Sequence, residues 1–200
     1  MHEFNFRDNE LHCEDIKIAD IAARVGTPFY LYSHKTLIDH YEKLKTALAP
    51  IRPLISFSMK SNSNLAVIRA LVKNGAGLDV VSGGELYRAR LAGVDPKKVV
   101  YAGVGKKSDE IKDAIEFGIL SFNAESEDEL EEIHSVAGKL DRKVNVAIRI
   151  NPDVIPKTHR YIATGKGETK FGVDFDTAHK IFNMRWKYPN LNINGVHVHI

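Results

Sequence analysis

Lys60 closes the short extended run Leu54-Ile55-Ser56-Phe57-Ser58-Met59 and is followed by Ser61-Asn62. An amine at the carboxyl end of a mostly apolar strand lies where a β/α barrel keeps its chemistry. Partly desolvated there, it could form an imine with a carbonyl; taken alone, its ordinary reading is a solvated lysine at a strand end. Asp79 puts a charge inside a second strand, Gly77-Leu78-Asp79-Val80-Val81. A buried carboxylate needs a partner or its pKa rises, and Lys60 on the adjacent strand is a candidate. Arg149 ends a later strand as Ile148-Arg149-Ile150-Asn151-Pro152. Between two isoleucines it must point away from their face, either into the barrel mouth as an anion partner or into a structural ion pair. His197 and His199 alternate in Gly195-Val196-His197-Val198-His199-Ile200 and share a strand face. Such a pair could begin a metal site, but spacing fixes no third ligand and no metal is expected. The other readings are core histidines or, for His199, a ring stacked on a flat cofactor.

Other polar segments are less specific. Ser82-Gly83-Gly84 suits a strand-to-helix turn with Ser82 as cap, and Glu85 reads as part of that cap. Residues 151–174 are too many for an ordinary connector. Their His159, Arg160, Thr164, Lys166 and Lys170 suit a loop meeting an anionic or zwitterionic ligand, with a disordered crossover as the alternative. Gly103-Val104-Gly105-Lys106-Lys107-Ser108 lacks the GxxxxGK[ST] spacing of a phosphate loop, and Gly165-Lys166-Gly167 reads as a basic turn.

The elements that must position these residues alternate. Helices are predicted over 35–48, 63–74, 83–92, 108–117, 126–138 and 175–187. Strands are predicted over 53–59, 77–81, 98–102, 119–123, 143–150 and 192–199. Helical spacing is clear in Ile111, Ala114 and Ile115, and again in Leu130, Ile133, Val136 and Ala137. Ser61-Asn62-Ser63 could cap one helix, and Ser126 with Glu129 forms a capping box for another. Gly93, Gly118 and Gly138 stand where helices should end. Residues 1–33 differ: Phe4 and Phe6 alternate with polar residues, 16–25 allow a short helix, and Thr27-Pro28-Phe29-Tyr30-Leu31-Tyr32 reads as a strand. The βαβα order allows a doubly wound sheet or a (β/α)8 barrel. Six strands would leave a barrel open at two edges, so the barrel reading makes this chain part of a longer protein.

Composition narrows the classes. The 200 residues are 44% hydrophobic and 27% charged, with a net charge of +2. The dispersed basic residues, without interleaved aromatics, argue against nucleic acid. No apolar run reaches the roughly 18 residues of a spanning helix, so no membrane partner is expected. Cys13 is the only cysteine, which excludes an internal disulfide framework. A cytoplasmic location is the expectation.

Several motifs together resemble a known family. They are Gly26-Thr27-Pro28-Phe29-Tyr30-Leu31-Tyr32, the lysine motif at 57–62, Leu78-Asp79-Val80-Val81-Ser82-Gly83-Gly84-Glu85-Leu86 and Phe122-Asn123-Ala124-Glu125-Ser126. Arg149-Ile150-Asn151-Pro152, His159-Arg160-Tyr161-Ile162-Ala163-Thr164-Gly165, Lys170-Phe171-Gly172 and the closing residues 195–200 complete the set. From about residue 11 onward the chain resembles the N-terminal part of the diaminopimelate decarboxylases, fold-type III pyridoxal-phosphate enzymes. The lysine motif departs slightly, with Phe57-Ser58-Met59-Lys60-Ser61-Asn62 where tyrosine–alanine–x–lysine–alanine–asparagine is common.

The resemblance implies an alanine-racemase-like (β/α)8 TIM barrel, incomplete here, over 34–200. It implies that 1–33 contribute to a separate C-terminal β domain. It assigns Lys60 to the cofactor aldehyde as a Schiff base, Asp79 to a place near that linkage, His199 to stacking on the pyridine ring, and Arg149 to the same surroundings. The implied reaction converts meso-diaminopimelate to L-lysine and carbon dioxide. A head-to-tail homodimer is implied, with phosphate and pyridine-nitrogen partners supplied by later sequence. A decarboxylase of ornithine, arginine or a carboxylated polyamine, or a non-catalytic pyridoxal-phosphate barrel, are the competing readings.

Overall fold

The computed structural model describes residues 2–152 and 171–199. The chain opens with β1 (Phe4–Arg7), β2 (Glu10–Cys13) and β3 (Ile16–Lys17), an antiparallel sheet in that order. Asp8 and Asn9 join the first two strands at φ of 50° and 61°, the positive angles that a tight type I′ hairpin requires. Helix α1 (Ile18–Val25) follows directly, where a short helix over 16–25 is expected. The Glu14 carboxylate accepts from Ser33 Oγ at 2.8 Å and from the Lys35 N–H at 2.9 Å, tying this sheet to the start of α2 (His34–Ala47).

Thr27–Tyr32 is not a strand. A ladder needs a neighbour, and among the described residues none pairs with this segment, which leaves Tyr30 and Tyr32 exposed.

The second sheet carries the alternation. Its strands are β4 (Ser56–Ser58), β5 (Gly77–Val80), β6 (Val99–Tyr101), β7 (Ser121–Ala124), β8 (Val144–Arg149) and β9 (Leu191–His197). Between them run α3 (Leu65–Lys73), α4 (Gly83–Ala92), α5 (Ser108–Phe117), α6 (Glu127–Lys139) and α7 (Phe175–Asn183). All pairings are parallel and the spatial order is β4-β5-β6-β7-β8-β9. That order decides the architecture: a doubly wound sheet reverses direction at a switch point, whereas this one adds each strand on the same side. It is the wall of a partial (β/α) barrel. Among the described residues no helix is long and apolar enough to cross a membrane.

Element ends show which local chemistry governs. Asn64, rather than the preceding serines, caps α3 by accepting from the Ala66 N–H at 2.9 Å. Ser82 and Ser126 cap α4 and α6 as expected. Gly93 and Gly118 end α4 and α5 at φ of 78° and 81°. Gly138 instead lies within the last turn of α6. The helix expected to reach residue 187 stops at Asn183 and gives way to a 3-10 turn over Arg185–Lys187.

The core lies between the sheet and its helices. Leu78, Val80, Val99, Tyr101, Phe122, Val146 and Ile148 are buried against Ile68, Leu86, Ile111, Leu130, Ile133 and Ile181. Alternation sends Ser58, Asp79, Ser121, Asn123, Ala147 and Arg149 to the opposite, inner face. One irregularity re-aims β9. Val146 pairs with Ile193, but Ala147 pairs with Gly195, so Asn194 is an extra residue and the strand bulges. Leu191 and Ile193 therefore point to the helices, while Gly195 and His197 join the inner face beside Ala147 and Arg149. A Cβ on Gly195 would stand 2.9 Å from the Ala147 Cβ. Gly195→Val in the full-length protein should cost about 1–3 kcal/mol by overpacking, read as a lowered urea midpoint; an unchanged midpoint would refute this account of the bulge.

Candidate active site

The carboxyl ends of the strands bring the chemically capable residues to one mouth. β4 hands over to a 3-10 turn, Met59–Ser61, with Met59 fully buried and Lys60 exposed at the rim. Ser61 Oγ donates to the Ser58 carbonyl at 2.7 Å and holds that turn. The desolvated strand-end amine expected for Lys60 is thus an exposed one on a turn.

Asp79 lies one strand over, in register with Ser58, and accepts from Ser58 Oγ at 3.0 Å. The expected Lys60–Asp79 ion pair is not formed within 4 Å among the described residues, since the serine hydroxyl on the neighbouring strand is closer to hand. Glu85 is drawn into the same region. Its carboxylate accepts from the Val81 N–H at 2.8 Å, so the helix-opening role predicted for it holds. Burial raises its pKa, with the Val81 bond and Lys60 opposing and Asp79 adding to the rise.

Arg149 answers both readings of its strand position. It faces the barrel interior, and there its Nη1 donates to Glu125 Oε2 at 2.9 Å, with both side chains largely out of solvent. Glu125 stands just past β7 on the inward parity set by Asn123. Its other oxygen accepts from the Gly103 N–H at 3.2 Å. On the far side, the Phe171 ring centroid lies 5.3 Å from the guanidinium carbon. Residues 171–173 return alongside β8: Val173 N–H donates to the Arg149 carbonyl at 2.9 Å, and Asn151 N–H to the Val173 carbonyl at 2.8 Å. Gly172 permits this approach, at φ of 81° with the Arg149 carbonyl 2.9 Å from where a Cβ would sit. The remainder of the long stretch, including His159, Arg160, Thr164, Lys166 and Lys170, lies outside the described residues.

His197 sits in register with Arg149. Its Nδ1 is buried and has no hydrogen-bond partner among the described residues. Burial lowers the pKa of this ring, and the Arg149 charge lowers it further, against Glu125 and Asp79. His199 is more exposed, yet burial, Arg149 and Lys60 lower its pKa too. Both imidazoles are therefore held toward their neutral form, which suits a flat ring face better than a cation would. Asp79, Glu125, Arg149, Lys60 and both histidines thus share one electrostatic environment.

Lys106 and Glu125 were not singled out by sequence reasoning. Lys106, rejected there with its pseudo-phosphate loop, has its side chain fully out of solvent and paired with Glu129. Glu129 accepts from the Glu125 N–H at 2.7 Å rather than from the Ser126 N–H that a capping box predicts. The legible signal for Glu125 was parity: it lies two residues beyond Asn123 on an inward-facing strand end.

The donor set fits pyridoxal phosphate: an accessible amine for an aldehyde, a carboxylate and a guanidinium close by, and neutral imidazoles for an aromatic ring. Comparison with known proteins agrees. Residues 34–200 match the family model of the pyridoxal-dependent decarboxylases, pyridoxal binding domain. The chain is 46% identical over 195 residues to the diaminopimelate decarboxylase of Aquifex aeolicus, covering 98% of this chain and 46% of that protein. It is 44% identical to the Vibrio cholerae diaminopimelate decarboxylase, covering 100% of this chain and 48% of the other. A solved structure of diaminopimelate decarboxylase from M. jannaschii in co-complex with L-lysine superposes with a TM-score of 0.91 at 38% identity, covering 98% of this chain and 47% of that one. The chain spans about half the length of the relatives it matches. It belongs to the pyridoxal-dependent decarboxylases, as a member of their pyridoxal-binding domain family.

Proposed function

We propose that the protein to which this chain belongs decarboxylates meso-diaminopimelate to L-lysine, using pyridoxal phosphate held at Lys60. The observation that carries this reading is the convergence of Lys60, Asp79, Arg149 and His199 on one end of the barrel wall. The similarity to diaminopimelate decarboxylases over nearly the whole chain supports the substrate, as does L-lysine in the related solved structure.

Bound pyridoxal phosphate supplies a conjugated ring that takes up the electron pair left when carbon dioxide departs. The chain's own residues do the holding. The Lys60 amine, presented on its turn, would hold the cofactor through its aldehyde. Asp79, fixed by Ser58, sets the charge beside that amine. His199 offers a neutral ring face, and Arg149, fixed by Glu125, keeps a positive charge at the mouth. The carboxylate lost from carbon is replaced there by a proton, so lysine retains the configuration-bearing amine at its other end. Residues 1–33 contribute to a separate β domain, and 34–200 form the first part of the barrel. A head-to-tail homodimer working in the cytoplasm completes the proposal, on the strength of the family resemblance.

Borohydride reduction of the full-length protein with cofactor, followed by peptide mapping, should place the label on Lys60, and Lys60→Ala should abolish it. A label on another residue would overturn the site. Turnover of meso-diaminopimelate should exceed that of lysine or ornithine by at least about 100-fold, because a site built to bind a second carboxylate rejects substrates lacking it. Equal rates would return the assignment to a general basic-amino-acid decarboxylase.

A further inference from the structure

The connection from β6 to α5 carries a lysine whose side chain is wholly out of solvent. Lys106 Nζ donates to the Gly103 carbonyl at 2.7 Å, to the Asn123 carbonyl at 2.9 Å and to Glu129 Oε1. It also lies 5.5 Å from the centroid of the buried Tyr101 ring. An ammonium has three protons to give and no acceptor capacity, so only the charged amine satisfies all three oxygens. Burial pushes its pKa down, and Glu129, Glu125 and Asp79 push back.

These bonds close on themselves. Gly103 accepts from Lys106 with its carbonyl and donates to Glu125 with its N–H. Glu129 meets Lys106 with one oxygen and the Glu125 N–H with the other. Glu125 in turn holds Arg149. Two cations and two carboxylates from three strand ends and a helix start thus form one satisfied network, and such networks act as units. Gly103 follows β6, Asn123 lies on β7 and Arg149 ends β8, so the spacing of three strand ends depends on the amine at the centre.

We propose that Lys106 is a positioning residue: its buried ammonium, by gripping Gly103, Asn123 and Glu129, fixes Glu125 and so keeps the Arg149 guanidinium facing His197 and His199 in the mouth. The proposal rests on the pyridoxal-decarboxylase reading for its catalytic consequence, while its structural content concerns this chain alone.

Lys106→Met by itself strands Glu129 and is prone to misfold, so the informative variant is Lys106→Met/Glu129→Gln. It removes one charge of each sign and keeps an oxygen for the Glu125 N–H. In the cofactor-free full-length protein, ring-labelled histidine NMR would follow His197 and His199, each assigned by its own substitution. His197 is faced by Arg149, Glu125, Asp79 and His199, and His199 by Arg149, Lys60, Asp79 and Glu125. With Arg149 released, both rings should titrate higher by about half a pH unit or more. Arg149→Met should produce the same rise, and adding the double variant to it should produce none further. In the holoenzyme kcat should fall about tenfold with KM little changed, as expected when an interaction made in the transition state is lost. A folded double variant whose histidines titrate as in the parent, or whose effect adds fully to that of Arg149→Met, would overturn the proposal. A full-length protein that takes up no pyridoxal phosphate would sink the functional reading instead, and the histidine titration would still decide for or against Lys106.

Discussion

The Arg149 guanidinium faces the inside of the barrel wall against the Glu125 carboxylate, and this pair is the contact on which the mouth depends. Glu125 is almost completely buried, with Arg149 on one oxygen and the Gly103 N–H on the other. Breaking such a pair by removing one partner typically costs about 3–5 kcal/mol, because the survivor is an unpaired buried charge. The pair therefore fixes where positive charge stands relative to β9. From that position Arg149 disfavours protonation of both His197 and His199. A structural ion pair and a tuned histidine face are here the same piece of geometry.

Register delivers the partners to that contact. Strand alternation alone would leave β9 with Leu191, Ile193 and His197 on one face, which would turn the histidines into the helix layer. The extra residue at Asn194 breaks that parity, and Gly195 makes room for it against Ala147. On the other side of Arg149, Gly172 lets the chain return close enough for Phe171 to cover the guanidinium. Each glycine serves a close approach of backbone to a particular side chain or carbonyl.

Much of this was legible in the sequence, and the omissions share a cause. Helix and strand order along the barrel wall followed from periodicity because its strands and the helices α3 to α7 bury apolar residues against a shared core. Asp79 and Arg149 were legible because strand alternation puts them on the face opposite the apolar core residues, whereas the orientation of the histidines depended on a bulge that alternation does not reveal. Partner identity was not legible. Asp79 meets Ser58 and not Lys60, since pairing depends on which side chain is adjacent in register. Glu125 and Lys106 pair with residues 22 to 24 positions away, across strands whose spacing no local pattern encodes. Thr27–Tyr32 has strand composition but no ladder among the described residues, so propensity misled there.

The balance of charge in the mouth has a consequence for recognition. Lys60, Lys106 and Arg149 stand against Asp79, Glu85, Glu125 and Glu129, and two of the cations are already committed to Glu125 and Glu129. In the proposed reading Lys60 is committed to the cofactor aldehyde, and the histidines are held toward neutrality. What remains is a set of groups that can orient a ring and an amine but carries no surplus positive charge for a phosphate or a substrate carboxylate. Anion recognition must then come from other parts of the protein. Within this chain the sequence carries further basic residues, His159, Arg160, Lys166 and Lys170, which lie outside the described residues, while Phe171 lies beside Arg149. In the proposed reading the two tasks, holding the reacting centre and binding its anions, are separate, and the described side chains of the mouth suit the first.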